Sequence, residues 1–470
     1  MCKLEEDEYI LNINQKMKLI LPRIQKNSRY HLSQGQAVIG LIIAIAVFAI
    51  LMSSLFTLVS SSYNLVSYNR SRIAARQLAQ EKIELIRNLK YDDVGVVGGI
   101  PPGIIEPEEN IKRNDLSYLI KTTIIYIDDS FDEIAPSDTF PTDYKRARIE
   151  VSWQGVARSG NNPLVLYTDV APTNLTTSFT GTLEIEVTNA NGQPVPQAQV
   201  SIIATGLTPP VNTTQLTNSD GKVTLPGAQV CNSCYQITVT KSGYSTDRTY
   251  STSEIANPIK EHTSILQGQV TQVFFAIDLT GTITINSVNT RENNFATLGN
   301  VEFRLHGNKI IGIDAYNQSV YKYDENLTTD TSGTTVITDL EWDAYNVSMP
   351  TATSWDISGT NPLIPLNLVP QGNISFIFSA SSHSDNSLFT MVKNTAQELI
   401  EGATVRLYDA SSYDVATISG ILGTPDYGQV FFPSLNQATY HIEATASGYL
   451  NLTKDVDVSG SSQEVIIMNP

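Results

Sequence analysis

The feature that most constrains this chain is an apolar stretch over residues 37–59, which contains no charged side chain. As an α-helix, this stretch would be about 35 Å long, which is enough to cross the hydrocarbon core of a membrane. Six basic residues precede it, and five of them lie within the last 20 residues of the leader: Lys16, Lys18, Arg23, Lys26 and Arg29. The positive-inside rule therefore places the N-terminus in the cytoplasm and the remainder outside. The stretch is too long for the core of a secretory signal peptide, and no A-x-A-like cleavage site follows it.

The helix is expected to continue beyond the membrane, because residues 70–89 contain no Gly or Pro and are rich in strong helix formers. Their apolar side chains recur at helical spacing and predict a face that packs on a soluble domain. The members of this face are Ala75, Leu78, Ala79, Leu85, Ile86 and Leu89, with Lys82 interrupting it. One continuous helix over residues 37–89 would be about 80 Å long. A turn-rich segment of Gly and Pro follows at residues 95–103.

The composition of the remaining chain indicates an acidic, strand-rich portion. The 470 residues carry a net charge of −17, and only 16% of them are charged, so the surface must be largely Thr, Ser and Asn. The first 35 residues carry +2, which leaves −19 on the rest. Such a surface repels phosphate backbones, so we expect no nucleic-acid partner. The length suggests three or four domains.

Cysteine usage also points to an oxidising compartment. Cys231 and Cys234 form a C-x-x-C pair, while Cys2 lies in the basic leader. A thioredoxin-like redox motif would need a helix start inside a βαβ pattern, which this segment lacks. A zinc site would need two more Cys or His ligands nearby, and His262 and His306 are distant and separate. The simplest interpretation is a disulfide that closes a loop.

The segment SQGQAVIG, residues 33–40, joins the basic leader to the apolar stretch. A basic leader ending in Gly, an apolar helix that starts at once and an amphipathic extension resemble type IV pilins and the pseudopilins of type II secretion. The similarity covers about residues 33–153, and LAQEKIELIRNL followed by Tyr91 is similar to minor prepilins in particular. The resemblance implies cleavage between Gly35 and Gln36 by a prepilin peptidase, methylation of the new N-terminus, and assembly with other pilin or pseudopilin subunits.

One position departs from the pattern of these families. They usually carry Glu as the fifth mature residue, and this chain has Gly40 there. A carboxylate inside a bilayer is costly, and the families tolerate it because it pairs with the N-terminal amine of an adjacent subunit. The tip pseudopilin of type II secretion also lacks this Glu. We therefore expect a minor subunit that caps or initiates a filament, the alternative being that Gly40 marks drift in a plain membrane anchor.

The segment after the helix predicts a small antiparallel sheet that lies on the amphipathic half of the helix. Strands are expected at residues 118–127, 146–153 and 163–168, and the second alternates apolar and polar residues. Three carboxylates near the first strand are candidate Ca²⁺ ligands: Asp128, Asp129 and Asp132. Their spacing fits no EF-hand loop, and a solvated loop is the simpler interpretation.

From residue 180 the chain repeats a pattern of about ninety to a hundred residues three times. The motifs G-x-P-x-x-x-A-x-V, D-G-x-V and S-G-Y resemble the carboxypeptidase-regulatory-like, prealbumin-like and CnaB-like β-sandwich domains. The middle copy departs by an insertion around residues 308–326 and lacks the final Gly-Tyr. The glycines expected in turns with positive φ are Gly221, Gly333 and Gly428. The tyrosines expected to close a sandwich end are Tyr244 and Tyr449.

A related surface-adhesin family crosslinks itself by a Lys–Asn isopeptide bond that a buried carboxylate catalyses. Lys393 and Asn469 are the residues that could form such a bond here, but Ala444 stands where the acid is expected. The sequence contains no G-x-S-x-G, no H-E-x-x-H and no phosphate-binding glycine loop. We therefore predict no catalytic residue, no metal site and no cofactor.

Three aromatic residues near the middle repeat could stack on a sugar, although core packing or interdomain contact is the simpler interpretation. They are Trp342, Tyr345 and Trp355.

The expected architecture is an elongated chain in which an α+β N-terminal part precedes three all-β sandwiches. The segments are a removed cytoplasmic leader (1–35), a transmembrane and amphipathic pilin helix (36–90), a pilin-like β head (91–177) and three β-sandwich repeats (178–278, 279–371 and 372–470). The predicted protein is a non-enzymatic minor pilin-like subunit that moves from the bacterial inner membrane to the cell surface or pilus. There it would present its sandwiches to surface glycans or proteins. The alternatives are a type II secretion pseudopilin and a single-pass anchored surface protein without a filament.

Overall fold

The computed structural model describes residues 34–129, 131, 142–154, 162–172, 180–350, 353–410 and 412–470. The chain divides into two units, and the boundary along the N-terminal helix falls between Ala74 and Ala75. Residues 1–33 of the basic leader lie outside the described residues, and its last two residues, Gln34 and Gly35, belong to the N-terminal helix.

A single helix, α1 (Gln34–Arg87), forms the N-terminal part. Its residues 41–66 are exposed, and Leu41–Arg87 is long and apolar enough to cross a membrane by length and composition. The predicted continuous helix is therefore confirmed. It ends at Arg87, two residues earlier than expected, and the side-chain amide of Asn88 donates a 2.7 Å hydrogen bond to the Glu84 carbonyl of the last turn.

The C-terminal turns of α1 bury one face. Its buried residues are Ala75, Leu78, Ala79, Ile83 and Ile86. Leu85 was expected on this face, but it is 48% exposed. Leu85 lies seven residues after the buried Leu78 and therefore on the same side of the helix, so that side is covered at Leu78 and open at Leu85.

Lys82 does not interrupt this face, because two ion pairs join α1 to the first strand of the head. The Lys82 side chain is only 10% exposed and pairs with Glu109. At the adjacent position of α1, the Glu81 carboxylate accepts two hydrogen bonds, of 3.0 and 3.1 Å, from the Arg113 guanidinium. The charge of Lys82 is thus balanced by Glu109, which lies on a strand that follows the helix in sequence.

The head is a four-stranded antiparallel sheet in the order β1-β2-β3-β4. The strands are β1 (Glu108–Arg113), β2 (Leu116–Ile127), β3 (Tyr144–Trp153) and β4 (Leu164–Val170). The three expected strands are present, and the alternation predicted for β3 is confirmed. The edge strand β1 was missed because its sequence, EENIKR, is mostly charged or polar and carries little strand signal.

Three β-sandwiches follow the head. Sandwich 1 contains β5 (Thr180–Thr188), β6 (Gln199–Ala204), β7 (Val211–Leu216), β8 (Lys222–Gln229), β9 (Cys231–Thr240), β10 (Asp247–Arg248), β11 (Asn257–Pro258), β12 (Thr263–Ile265) and β13 (Val270–Ala276). Sandwich 2 contains β14 (Gly281–Val288), β15 (Glu302–Gly307), β16 (Ile310–Ile313), β17 (Ser319–Tyr321), β18 (Asp324–Thr328), β19 (Thr334–Leu340), β20 (Asp343–Ser348), β21 (Trp355–Asn361), β22 (Leu366–Leu368) and β23 (Asn373–Ser382). Sandwich 3 contains β24 (Ser387–Asn394), β25 (Thr404–Tyr408), β26 (Asp414–Ile418), β27 (Gln429–Phe432), β28 (Ala438–Thr445), β29 (Leu452–Val458) and β30 (Ser461–Met468).

The three sandwiches share one topology. In each, the first strand lies between an antiparallel partner and the last strand of the repeat, with which it pairs in parallel: β8-β5-β13, β19-β14-β23 and β27-β24-β30. The opposing sheets are β10-β9-β6-β7, β18-β15-β20-β22 and β26-β25-β28-β29. Each pair of sheets encloses its own apolar core. The predicted succession of β-sandwiches is confirmed.

A buried hydroxyl recurs at the same place in every sandwich. The residues are Thr217, Thr329 and Ser419. Each hydroxyl accepts a hydrogen bond from a backbone N–H near the second strand, at 2.9, 3.1 and 2.9 Å respectively; the donors are Ala198, Val301 and Ala403. The expected positive φ is also found at Gly221 (72°), Gly333 (77°) and Gly428 (65°). The three sandwiches therefore share this hydrogen bond and this turn conformation as well as their strand order, which supports an internal repeat.

Candidate functional site

The residues of the predicted processing site lie at the start of α1. The helix begins at Gln34, and the backbones of Gly35, Gln36 and Gly40 are all helical. The predicted cleavage point would therefore leave a helix that starts at its new N-terminus. Cleavage and the role of Gly40 in filament order stay predictions.

The candidate calcium loop uses carboxylate oxygens to order its own backbone. An Asp143 oxygen accepts the Asp129 N–H at 2.7 Å, and an Asp129 oxygen accepts the Phe131 N–H at 2.9 Å. Asp128 directly follows β2, while Asp132 lies outside the described residues. Across the described part of the chain, no group of three or more His, Cys, Asp or Glu side chains could hold a metal ion. Calcium binding stays a prediction.

The cysteine pair lies at the beginning of β9. The sulfur atoms of Cys231 and Cys234 are bonded to each other, and both residues pack against the core of sandwich 1. The strand β12 pairs with this segment, with Ile265 opposite Cys231. The oxidation state in solution stays a prediction, which mass spectrometry before and after reduction would test.

A buried lysine that the sequence did not single out lies in the head. Lys145, on the apolar face of β3, is 2% exposed. Its ammonium donates a 2.7 Å hydrogen bond to the Tyr91 carbonyl and lies over the rings of Tyr91 and Tyr126, at 4.4 and 5.4 Å from their centroids. Burial lowers the pKa of Lys145 to about 8, although the nearby Asp92 and Asp93 oppose this shift.

The head is joined to sandwich 1 by close backbone contact. Gly227 of β8 has φ +78°, and a Cβ there would lie 2.4 Å from the Tyr126 ring, so only Gly fits. From the segment after α1, Ile100 enters the core of sandwich 1. The Gly98 carbonyl also accepts the Asn212 N–H at 2.6 Å. The Gly- and Pro-rich segment predicted as a turn is therefore a connector between two domains.

The insertion in the middle repeat forms a second joint. Its hairpin, β16–β17, pairs with β11 of sandwich 1 to make a three-stranded sheet in the order β11-β16-β17. Asn257 lies opposite Ile313, and Ile259 donates a 3.0 Å hydrogen bond to the Ile311 carbonyl. The departure of the second copy from the repeat pattern thus supplies the link between sandwiches 1 and 2.

The third joint connects sandwiches 2 and 3 through a buried amide. The side-chain oxygen of Gln429 accepts the Thr360 N–H at 2.9 Å, and its nitrogen donates to the Thr360 carbonyl at 2.7 Å. Gln429 thereby pairs with the edge strand β21 as a neighbouring strand would. The Arg291 guanidinium also donates to Asp426 at 2.9 Å and to the Ile418 carbonyl at 2.6 Å.

The residues considered for a crosslink do not form a buried site. Lys393 is half-buried on β24, Asn469 is exposed and Ala444 is buried. No carboxylate therefore stands at the position expected for the catalytic acid.

The three aromatic residues that sequence grouped together lie in different surroundings. Tyr345 is in the core of sandwich 2, and Trp355 packs against that core from outside. Trp342 lines a cleft beside the joint between sandwiches 1 and 2, with the Lys309 ammonium 3.4 Å from its ring centroid.

Comparison with known proteins gives little beyond these observations. No protein-family model matches this chain, and no curated protein matches it. Solved structures similar to it include the TIE protein of Bacillus anthracis, at 12% identity over 78% of this chain and 73% of that one, with a TM-score of 0.19.

Two pilins are also among the similar structures. A streptococcal ancillary pilin is 12% identical over 62% of this chain and 98% of its own, with a TM-score of 0.17. BcpA, the major pilin subunit of Bacillus cereus, is 12% identical over 62% of this chain and 99% of its own, with a TM-score of 0.17. Scores this low carry no conclusion about this chain.

Proposed function

We propose that this chain is a non-enzymatic minor pilin-like subunit that is inserted in the bacterial inner membrane, cut after Gly35 and assembled with other pilin or pseudopilin subunits. Its β-sandwiches would then act in adhesion at the cell surface. The observation that carries the proposal is α1. One helix begins at the predicted cleavage site, exposes an apolar stretch long enough to cross a membrane, and buries its last turns on the head sheet.

The joints between domains support a role in presentation. All three are made by specific contacts: Tyr126 against Gly227, β11 paired with β16, and Gln429 paired with Thr360. Contacts of this kind resist bending, whereas flexible linkers are rich in Gly or Ser. Domains held in this way suit a subunit that must keep its outer surfaces in a fixed orientation.

The N-terminus of the mature protein tests this proposal. Mass spectrometry of protein from its native membrane should find a first residue of Gln36, carrying a methyl group. An intact leader beginning at Met1 would contradict processing and favour the anchored surface protein. Replacement of Gly35 by a bulkier residue should block cleavage, and Gly206→Ala, where an added Cβ would have no atom within 4 Å, would serve as a control for general effects of losing a Gly.

The end position is tested separately at the fifth mature residue. Because Gly40 cannot supply a carboxylate to the amine of a subunit ahead, the protein should be found at filament ends. Gly40→Glu should spread it along the filament, as immunogold labelling would show. Wild-type protein along the shaft would contradict the end position but not membership of the filament.

A further inference from the structure

A cleft of about 430 Å³ lies between sandwiches 1 and 2. This volume is within the range of sites that hold small ligands. Sandwich 1 contributes Tyr250 and the residues around β10, and sandwich 2 contributes the insertion hairpin and Trp342. The two walls are joined by the pairing of β11 with β16, so the cleft is formed before any ligand arrives.

The lining of this cleft is richer in cations than the chain as a whole. Four cations line it, Arg248, Lys260, Lys309 and Lys322, against two carboxylates, Asp247 and Glu341. The net charge of the whole protein is −17. A local excess of positive charge in such a protein concentrates anions.

The carboxylates near the cleft do not fully neutralise the cations. Glu341 accepts from Lys309 at 2.7 Å and also pairs with Lys322, so two ammonium groups share one carboxylate. Asp343 lies off the lining, and its two oxygens accept the backbone N–H groups of Lys309 and Ala344 at 2.9 and 2.7 Å.

On this wall of sandwich 1 both cations are paired: Arg248 with Glu254, which also accepts the Ser251 N–H, and Lys260 with Asp247. Burial lowers the pKa of Lys309, against the opposing effect of Glu341. An incoming anion would therefore find a lysine that is partly desolvated and incompletely paired.

The cleft also offers apolar surface beside the charges. Trp342 is half-buried, and at the mouth Ile259 is 71% and Ile310 is 40% exposed. Aromatic and aliphatic side chains of this kind pack on the C–H faces of a sugar ring, whereas a small inorganic anion would make no use of them.

We propose that this cleft binds a carboxylated saccharide, with its ring against the exposed isoleucines and the part of the Trp342 indole that the Lys309 ammonium leaves uncovered, and with its carboxylate between Lys309 and Lys322. The inference deepens the adhesive part of the proposed function. It does not depend on cleavage or filament assembly, which are tested at the N-terminus.

Calorimetric titration of the full chain in detergent with tri-galacturonate tests the proposal, and maltotriose is the neutral probe. Tri-galacturonate should bind, and maltotriose should bind at least tenfold more weakly. Lys322→Gln should weaken tri-galacturonate binding at least tenfold, while Lys322→Arg, which keeps the charge, should retain most of it. Lys454→Gln, which removes an ion-paired lysine of sandwich 3, is the matched control and should leave binding unchanged.

A tri-glutamate probe and the variant Trp342→Leu separate a sugar site from a site for acidic peptides. Saccharide binding should fall on loss of the indole, with the unfolding midpoint unchanged. Equal binding of tri-glutamate, unaffected by Trp342→Leu, would overturn the saccharide assignment. No binding of tri-galacturonate at millimolar concentration would overturn the site itself, while leaving an N-terminus at Gln36 as valid support for the filament role.

Discussion

Lys145 shows how the head accommodates a buried charge. The ammonium cannot reach bulk water, so a backbone carbonyl and two aromatic rings replace part of its hydration. Because these groups belong to the turn after α1 and to β2, one side chain ties three elements of the head together. The same Tyr126 ring abuts Gly227, so the contact extends to sandwich 1.

The lowered pKa of Lys145 predicts a dependence of head stability on pH. Between pH 8 and 10.5 the unfolded chain binds more protons at this residue than the folded chain, so the free energy of unfolding rises with pH. Below pH 8 Lys145 is protonated in both the folded and the unfolded state, and burying its charge lowers the free energy of unfolding by about 3 kcal/mol. From pH 7.5 to 9.5 wild type should gain about 2 kcal/mol relative to Lys145→Met.

Trp153 of β3 can report on this transition by fluorescence during urea unfolding, in a background of Trp342→Phe and Trp355→Phe. Lys121→Met, at an exposed lysine of the same sheet, should keep the wild-type pH dependence. An identical pH dependence of wild type and Lys145→Met would show that burial of this lysine does not affect stability.

Among the elements, α1 combines two different environments in one uninterrupted helix. Its exposed apolar part needs a membrane or neighbouring helices, whereas its last turns are buried on the head sheet. The ion pairs of Lys82 and Glu81 with β1 fix the position of the helix along that sheet.

This packing predicts that Ile86→Asp and Leu85→Asp, at adjacent positions, have very different effects. Ile86 is fully buried, so an aspartate there should destabilise the docking of α1 by more than about 3 kcal/mol. Leu85 is exposed, so the same change should cost less than about 0.5 kcal/mol. Hydrogen exchange over residues 75–87 measures both, and equal protection in the two variants would contradict the observed face.

Local periodicity explains which elements could be predicted from sequence. The apolar run of α1, the alternation in β3 and the turn glycines all depend on residues a few positions apart. The parallel pairing of β5 with β13 and the recruitment of β11 by the insertion join residues far apart, so no local pattern indicates them. Lys145 was missed because the identity of a lysine does not reveal that three separate elements enclose it.

The candidate sites divide in the same way. The motif around Gly35 is contiguous, so sequence alone can suggest it, and its processing stays a prediction; the pair Cys231 and Cys234 needed only its spacing. The cationic cleft could not be recognised, because its lysines come from two repeats and only Trp342 had drawn attention. Core packing, one of the favoured interpretations of the three aromatic residues, is confirmed for Tyr345, which is buried in the core of sandwich 2.

For the soluble part as a whole, the joints determine whether the sandwiches keep their relative orientation. Gln429→Ala would leave the buried N–H and carbonyl of Thr360 without their partner, at a cost of about 1–3 kcal/mol. We expect the joint between sandwiches 2 and 3 to loosen. Spin labels at Glu302 and Thr453, both exposed, should then show a broader distance distribution by double electron–electron resonance.

A surface glutamine provides the control for this experiment. Gln215→Ala removes a contact with Thr213 on sandwich 1 and should leave the distribution narrow. A narrow distribution for Gln429→Ala as well would mean that the remaining contacts, the Arg291 and Asp426 pair and the Asn361 bond to the Thr424 carbonyl, hold the joint, and their combined removal in the same background would then have to broaden it.

The sheet shared by β11 and the insertion hairpin also bears on how such a protein can be rearranged by recombination. Deleting the middle repeat would remove β16, which pairs with β11, and would leave β11 as an open edge on the first repeat. Grafting the middle repeat elsewhere would carry the hairpin β16–β17 along without its partner strand. The first two repeats therefore form one cassette that must be inherited together. Among the described strands the third repeat shares no sheet with its neighbour and meets it through hydrogen bonds of side chains to backbone groups, so it is the repeat that can be exchanged with fewest compensating changes.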